Sequence, residues 1–289
     1  MIQDKNLQTR IFKNKLLYLV VCILSALTAI PLLAILGEVL VKGWRQLNWT
    51  FLTEATPNAY EAMMAMSAGE SVPGGIANGI IGTFLMLLMA AVVAIPVGIF
   101  CGICLSEYRG KWFATMVSYL TDLLQGTPSI IIGIITYIWV VVPMKGYSAF
   151  AGSVALFIMM LPLIIRSTEE TMKILPETLK EAGLALGGSY WRVMLQVMLP
   201  SAFGSIFTGI LLAISRVIGE TAPLMFTALG GAAISWNISR PMAAVPLMIW
   251  EFFNDPNLQS LIWGASLFLL TFVLCLNLLA KRIQKKWKV

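Results

Sequence analysis

Six long apolar runs limit what this chain can become. They cover residues 16–41, 78–105, 113–142, 147–165, about 201–224 and 261–280. Each meets the length of about 18 residues or more that a helix needs to cross hydrocarbon. Inside a bilayer the backbone must satisfy its own N–H and C=O groups, so such runs cross as helices. The fold class that follows is an all-α integral membrane protein with six transmembrane helices. Of 289 residues, 58% are hydrophobic and 12% charged, against roughly 25% charged in soluble domains. No stretch remains for a sizeable soluble domain.

The few charges are sorted by side. Residues 1–15, 106–112, 166–200 and 281–289 hold fifteen Lys and Arg, and the opposite loops hold four, Lys42, Arg45, Lys145 and Arg240. Cytoplasmic loops carry such an excess, which puts both termini on the cytoplasmic side of the membrane. The net charge of +6 forms no basic stripe alternating with aromatics, so nucleic acid is not an expected partner. Cys101 and Cys104 form a CxxC within an apolar run and read as packing. The chain has no histidine, the commonest general base and metal ligand. No catalytic, cofactor or metal site is expected.

In chain order, a basic cytoplasmic terminus (1–15) leads into a retained first span bent at Pro31. Residues 42–77 form an extracytoplasmic loop in which Trp44 and Trp49 suit an interface belt. The second span carries Gly98-x-x-x-Gly102, which lets another helix approach closely. The third, 113–142, is interrupted by Gln125-Gly126-Thr127-Pro128-Ser129, either a wall of a watery pathway or a simple kink. The fourth ends at Ile165, and Arg166 and Ser167 open a cytoplasmic loop that takes in residues 168–200. Residues 225–260 read as an outer loop with re-entrant parts, and 281–289 as a basic tail that follows the 16–280 transmembrane domain.

Residues 175–200 predict two short helices meeting at an elbow. Pro176 suits a first helical position, Leu175, Leu179, Ala182 and Leu186 share one face, Gly187-Gly188 breaks the helix, and Ser189 can cap the next. By amphipathicity alone this is an interfacial helix pair lying on headgroups. Its spacing, however, resembles the EAA loop of ABC importer permeases. Glu181-Ala182-Gly183, three residues, Gly187, nine residues, then Val197-Met198-Leu199-Pro200 departs from that pattern only at Gly183 and Val197. The resemblance implies that Glu181, Ala182, Gly183, Gly187, Leu199 and Pro200 couple the chain to a cytoplasmic ATPase. The glycine would make a bend that a side chain obstructs.

Arg216 sits in the fifth run, fifteen residues past Ser201, which on an unbroken helix is about 22 Å along the axis. Glu220, at i+4, is its expected ion-pair partner, and a charge pair at that depth marks a substrate path or only fixes packing. The stretch Arg216-x-x-Gly219-Glu220-Thr221-Ala222-Pro223-Leu224 resembles the phosphate-specific ABC transporter permeases. Further matches are Gly82-Thr83 after Gly74-Gly75-Ile76, Pro128-Ser129-Ile130 with Gly133, and Leu161-Pro162. The resemblance implies a six-helix permease that pairs with a homologous permease subunit and sits on a dimer of ATPase subunits. It also implies a periplasmic phosphate-binding protein as donor, and ATP and Mg used only in the partner ATPase. The chain has no G-x-x-x-x-G-K-[ST] of its own. Sulfate, molybdate or polyamine transport on the same architecture, an ATP-independent transporter or channel, and an intramembrane enzyme are the alternatives.

Overall fold

The computed structural model describes residues 2–69 and 72–286. The last residues of the expected basic tail, 287–289, and residue 1 lie outside the described residues. The chain is helical: α1 (Ile2–Trp44), α2 (Trp49–Thr53), α3 (Ala59–Ser67), α4 (Ala77–Glu107), α5 (Trp112–Gly126), α6 (Ser129–Thr136), α7 (Val142–Met144), α8 (Ala149–Ile174), α9 (Glu177–Ala185), α10 (Tyr190–Val193), α11 (Leu199–Val217), α12 (Ala222–Met225), α13 (Val245–Asn254) and α14 (Leu261–Lys286). Among the described residues, one isolated bridge, Leu229 with Met242, is the sole β-type pairing. Five helical stretches are long and apolar enough to cross a membrane, and the bent pair α5–α7 makes a sixth if it is one span.

The spine is α4 against α8. A Cβ on Gly98 would come within 2.8 Å of the Ile164 side chain, and one on Gly102 within 2.7 Å of the Ile165 carbonyl and the Thr168 side chain. The expected Gly98-x-x-x-Gly102 face is therefore the contact. Near the other end of the pair, a Cβ on Gly152 would meet Met86 Sδ at 2.6 Å. The contacts advance in step along both helices, so α4 and α8 run parallel. A single return crossing must connect them, which makes the α5–α7 pair one broken span. Met86, Met160, Ile164 and Met194 fill the centre of this bundle with almost no exposure.

The third span is interrupted where the sequence predicts it, and its two halves meet at 105°. Thr127 and Pro128 take extended dihedrals between α5 and α6. Proline supplies no N–H and disfavours helix in the residue before it, so the break falls there. The turn is held by packing, since a Cβ on Gly133 would sit 2.8 Å from Pro223 Cα in α12. Two π turns, Tyr137–Val141 and Met194–Met198, precede Pro143 and Pro200. Each widens the ladder just before a proline ring would crowd it. By this device α10 and α11 form one span, Tyr190–Val217, rather than starting at Ser201.

Two further boundaries move. The fourth helix continues past Ile165 to Ile174, so Arg166 and Ser167 are helical. The segment expected as an outer loop contains α13, whose Val245, Leu247, Met248 and Phe252 are buried as deeply as any core residue. Val245 N–H donates to Thr83 Oγ1 at 2.9 Å, and a Cβ on Gly82 would lie 2.0 Å from the Ala243 carbonyl. The Gly82-Thr83 pair thus seats the chain that leads into α13. In contrast, α1 meets the bundle chiefly near Gly43, whose Cβ position is 2.6 Å from the Trp263 carbonyl, and residues 7–36 are almost wholly exposed.

Candidate substrate groove and elbow

The faces of α8 and α11, with the end of α5, border an open groove of about 910 Å³. Its charges are Arg166, Lys173 and Arg216 against Asp122, Glu169 and Glu170. Arg166 is the hub. Its Nη1 donates to Glu169 Oε2 at 2.6 Å, its Nε to Asp122 Oδ1 at 3.0 Å and its Nη2 to the Ser118 carbonyl at 3.0 Å. Lys173 Nζ donates to the other oxygen of Glu169, whose side chain is only 5% exposed. The network locks α5 to α8 beside the break at Pro128. Gln125 of the expected pathway wall lines this cavity, while Gly126, Thr127 and Pro128 line a second, apolar one that shares Asp122.

Sequence reading missed Arg166, Glu169 and Asp122 because the apolar run ends at Ile165. A usable signal exists. Arg166, Glu169 and Lys173 are spaced three and four apart, the pattern of neighbours on one helical face. Asp122 is a lone carboxylate within an apolar run.

The expected Arg216–Glu220 ion pair does not form, and this is a correction. Helix α11 ends at Val217, and the chain turns through Gly219 and Glu220, whose N–H groups reach the Arg216 and Val217 carbonyls at 3.4 and 3.1 Å. Leaving the helix at Gly219, ahead of Pro223, takes Glu220 off the face that Arg216 occupies. Glu220 is half-buried and does not line the cavity; Arg216 does, exposed to its space. Among the described residues Arg216 has no ion-pair partner, so it is the groove's uncommitted cation. Below it, one turn apart along α11, Ser201, Ser205, Thr208 and Leu212 line the same wall.

At the far end of α8 the elbow forms as its glycines require. Gly187 has φ +82°, the left-handed conformation that glycine adopts most readily. Gly187 N–H reaches the Leu184 carbonyl at 2.9 Å and Gly188 N–H the Gly183 carbonyl at 3.3 Å, a complete Schellman stop. Gly183, the departure from the EAA pattern, has a role. A Cβ there would lie 2.8 Å from the Val193 side chain, so glycine lets the two arms close. Pro176 is the N-cap of α9 rather than its first residue, and Ser189 caps α10 through its carbonyl, without a side-chain bond. The expected apolar stripe divides: Leu175 and Leu179 pack on the core, whereas Glu181 and Ala182 are exposed and Leu186 is 90% exposed. Leu199 and Pro200 lie at the start of α11, a full helical arm away. Among the described residues no group of three or more His, Cys, Asp or Glu side chains could hold a metal ion.

Comparison with known proteins bears on this arrangement. A relative from Yersinia pestis, the phosphate transport system permease protein PstA, is 38% identical over 260 residues, covering 89% of this chain and 85% of its own length. A PstA of the same name from Xylella fastidiosa (strain Temecula1 / ATCC 700964) is 40% identical over 220 residues, 75% of this chain and 77% of that one. Among solved structures, an inward-facing MetNI methionine ABC transporter chain matches with a TM-score of 0.59 at 18% identity, over 79% of this chain and 99% of that chain, a likeness of fold. The model of the family described as "binding-protein-dependent transport system inner membrane component" matches residues 94–289. With its groove, its elbow and its bundle of spanning helices, this chain belongs to that family of inner-membrane transport components.

Proposed function

We propose that this chain is the transmembrane permease subunit of an ATP-driven importer of inorganic phosphate. The single observation that carries the reading is Arg216, an unpaired guanidinium facing a groove whose other two cations are held by carboxylates. A phosphate dianion crossing hydrocarbon needs a compensating cation, and a planar guanidinium matches its oxygens. Six groove charges of balanced sign give an anion attraction at Arg216 without a deep trap. The relatives named as phosphate permeases support the choice of anion. In this reading Arg216 touches phosphate directly, and Glu220, off its face, shapes the turn that closes the outer end of the path.

The rest of the machine follows. Leu186, Leu184, Trp191 and Ile174 leave apolar surface exposed around the elbow, and such a patch suits a protein partner. The elbow, cytoplasmic in this proposal with both termini, docks on one subunit of an ATPase dimer that uses ATP and Mg. A homologous permease closes the open side of the groove, and a periplasmic phosphate-binding protein delivers the anion. Alternating access then exposes Arg216 to each side in turn. The test is uptake of labelled phosphate with membrane abundance measured alongside. Arg216→Gln should reduce uptake roughly a hundredfold, and Arg216→Lys, which keeps charge but loses the fork, about tenfold. Unchanged uptake in Arg216→Gln at normal abundance would remove Arg216 from the path.

A further inference from the structure

The first arm of the elbow, α9, has little packing of its own to transmit force. None of its nine residues is buried, and it meets the rest of the chain through the half-buried Leu179, through Gly183 against the buried Val193 of α10, and through one polar junction. That junction is Glu107, the last residue of α4. Its Oε2 accepts from Lys180 Nζ in α9 and from Tyr190 Oη in α10 at 2.6 Å. Lys180 Nζ also lies over the Tyr190 ring, 5.2 Å from its centroid. Both arms of the elbow therefore converge on one carboxylate, which is 17% exposed. Charge-assisted bonds of this kind are about twice as strong as neutral ones, and partial burial spares them much of the solvent screening.

From Glu107 the path is stiff. Helix α4 has 31 residues, about 46 Å, and its glycine face is interlocked with α8. At its other end Gly79, Gly82 and Thr83 contact the backbone that enters α13. A displacement of the elbow applied at Glu107 would move α4 and α8 together, and with them the groove wall that carries Arg166.

We infer that Glu107 is the positioning residue that couples the elbow to the transport helices: it makes α9 move with α4 and with the α10–α11 span rather than swivel on Leu175-Pro176 and Gly187-Gly188. The inference rests on the proposal that the elbow docks on an ATPase. It differs from docking itself, because the Glu107 carboxylate is turned to the inner side of the elbow, toward Lys180 and Tyr190, and the exposed apolar patch lies on other residues.

The test uses the full transporter, purified by a tag on this chain and reconstituted in vesicles, with inorganic phosphate as the transported probe. ATPase co-purification, ATP hydrolysis and phosphate moved per ATP are measured together. In Glu107→Gln the ATPase should co-purify in parental amount and hydrolyse ATP within about twofold of the parent, while phosphate moved per ATP falls about tenfold. Tyr190→Phe, which keeps the ion pair, should lower that ratio only about threefold. The swap of Glu107→Lys with Lys180→Glu should recover part of what Glu107→Gln loses. An unchanged phosphate-to-ATP ratio in Glu107→Gln would overturn the inference, and so would loss of the ATPase from that variant, which would make Glu107 a docking residue. If Glu107→Gln fails to accumulate, Lys180→Gln and Tyr190→Phe carry the same measurement from the elbow side. A parental chain that purifies without any ATPase would instead remove the docking proposal on which the inference stands.

Discussion

Glu169 is the one buried charged residue among the described residues, its side chain 5% exposed between Arg166 and Lys173. Removing one partner of a buried ion pair leaves the others uncompensated, a cost of about 3–5 kcal/mol in a dry site. Arg166 and Lys173 are 20% and 26% exposed to the groove, so a smaller figure, about 1–3 kcal/mol, is appropriate here. Glu169→Gln should therefore lower the melting temperature of the detergent-solubilised chain by several degrees. Asp122→Asn, whose carboxylate is 58% exposed, should change it little. Equal melting of Glu169→Gln and parent would mean that the network does not hold α8 to α5. The contrast with Arg216 shows what a sequence displays at this scale. Arg216 stands alone in an apolar run and announces itself; Arg166 and Glu169 adjoin a polar stretch and read as loop. A helix flanked by a polar groove does not end where its apolar composition ends, and only the spacing of its charges shows that it continues.

At the scale of elements, the spans, the glycine face of α4 and the elbow were all legible, because each is written in local periodicity or in a residue with a single conformational use. The angle at Pro128 was not. Proline dictates that a helix is interrupted, but whether the break is a slight kink or 105° depends on what the second half packs against, here Pro223 on Gly133. Helix α13 escaped for a related reason: ten residues flanked by turns are too short to read as a span, and their burial comes from distant Gly82 and Thr83. The elbow allows a sharper statement. Gly187 has a positive φ, yet no atom lies within 4 Å of where its Cβ would be. Any substitution there brings a backbone strain of about 1–2 kcal/mol without internal collision. Gly187→Ala and Gly187→Trp should thus share that strain and insert normally, but only tryptophan fills the space outside the elbow. Phosphate uptake should fall severalfold at most in Gly187→Ala and below detection in Gly187→Trp. Equal loss in both would assign the effect to strain, and the docking role of Gly187 would be wrong.

Over the whole molecule, the parallel pairing of α4 and α8 decides the number of crossings. Because α5–α7 must return between them, the remaining order alternates: α1, α4, the broken span, α8, α10–α11 and α14 give six crossings and leave both chain ends on one side. Internal contacts agree, since Gly43 at the end of α1 meets Trp263 at the start of α14, while Glu107 at the end of α4 meets Lys180 and Tyr190 of the elbow. In the proposed orientation the positive residues put the side with both chain ends in the cytoplasm. Ser67, at the end of α3, and Ser189, in the elbow, are both exposed and lie beyond opposite ends of α4. They make a matched pair of reporters once the four native cysteines are replaced, three of which are themselves exposed on the isolated chain. A membrane-impermeant maleimide added to spheroplasts, with the outer membrane removed, should label Ser67→Cys and leave Ser189→Cys unlabelled until the inner membrane is opened. Labelling of both from outside would contradict the parallel pairing of α4 and α8 and, with it, the count of six crossings. Labelling of Ser189→Cys alone would invert the whole arrangement and put the elbow where no ATPase could reach it.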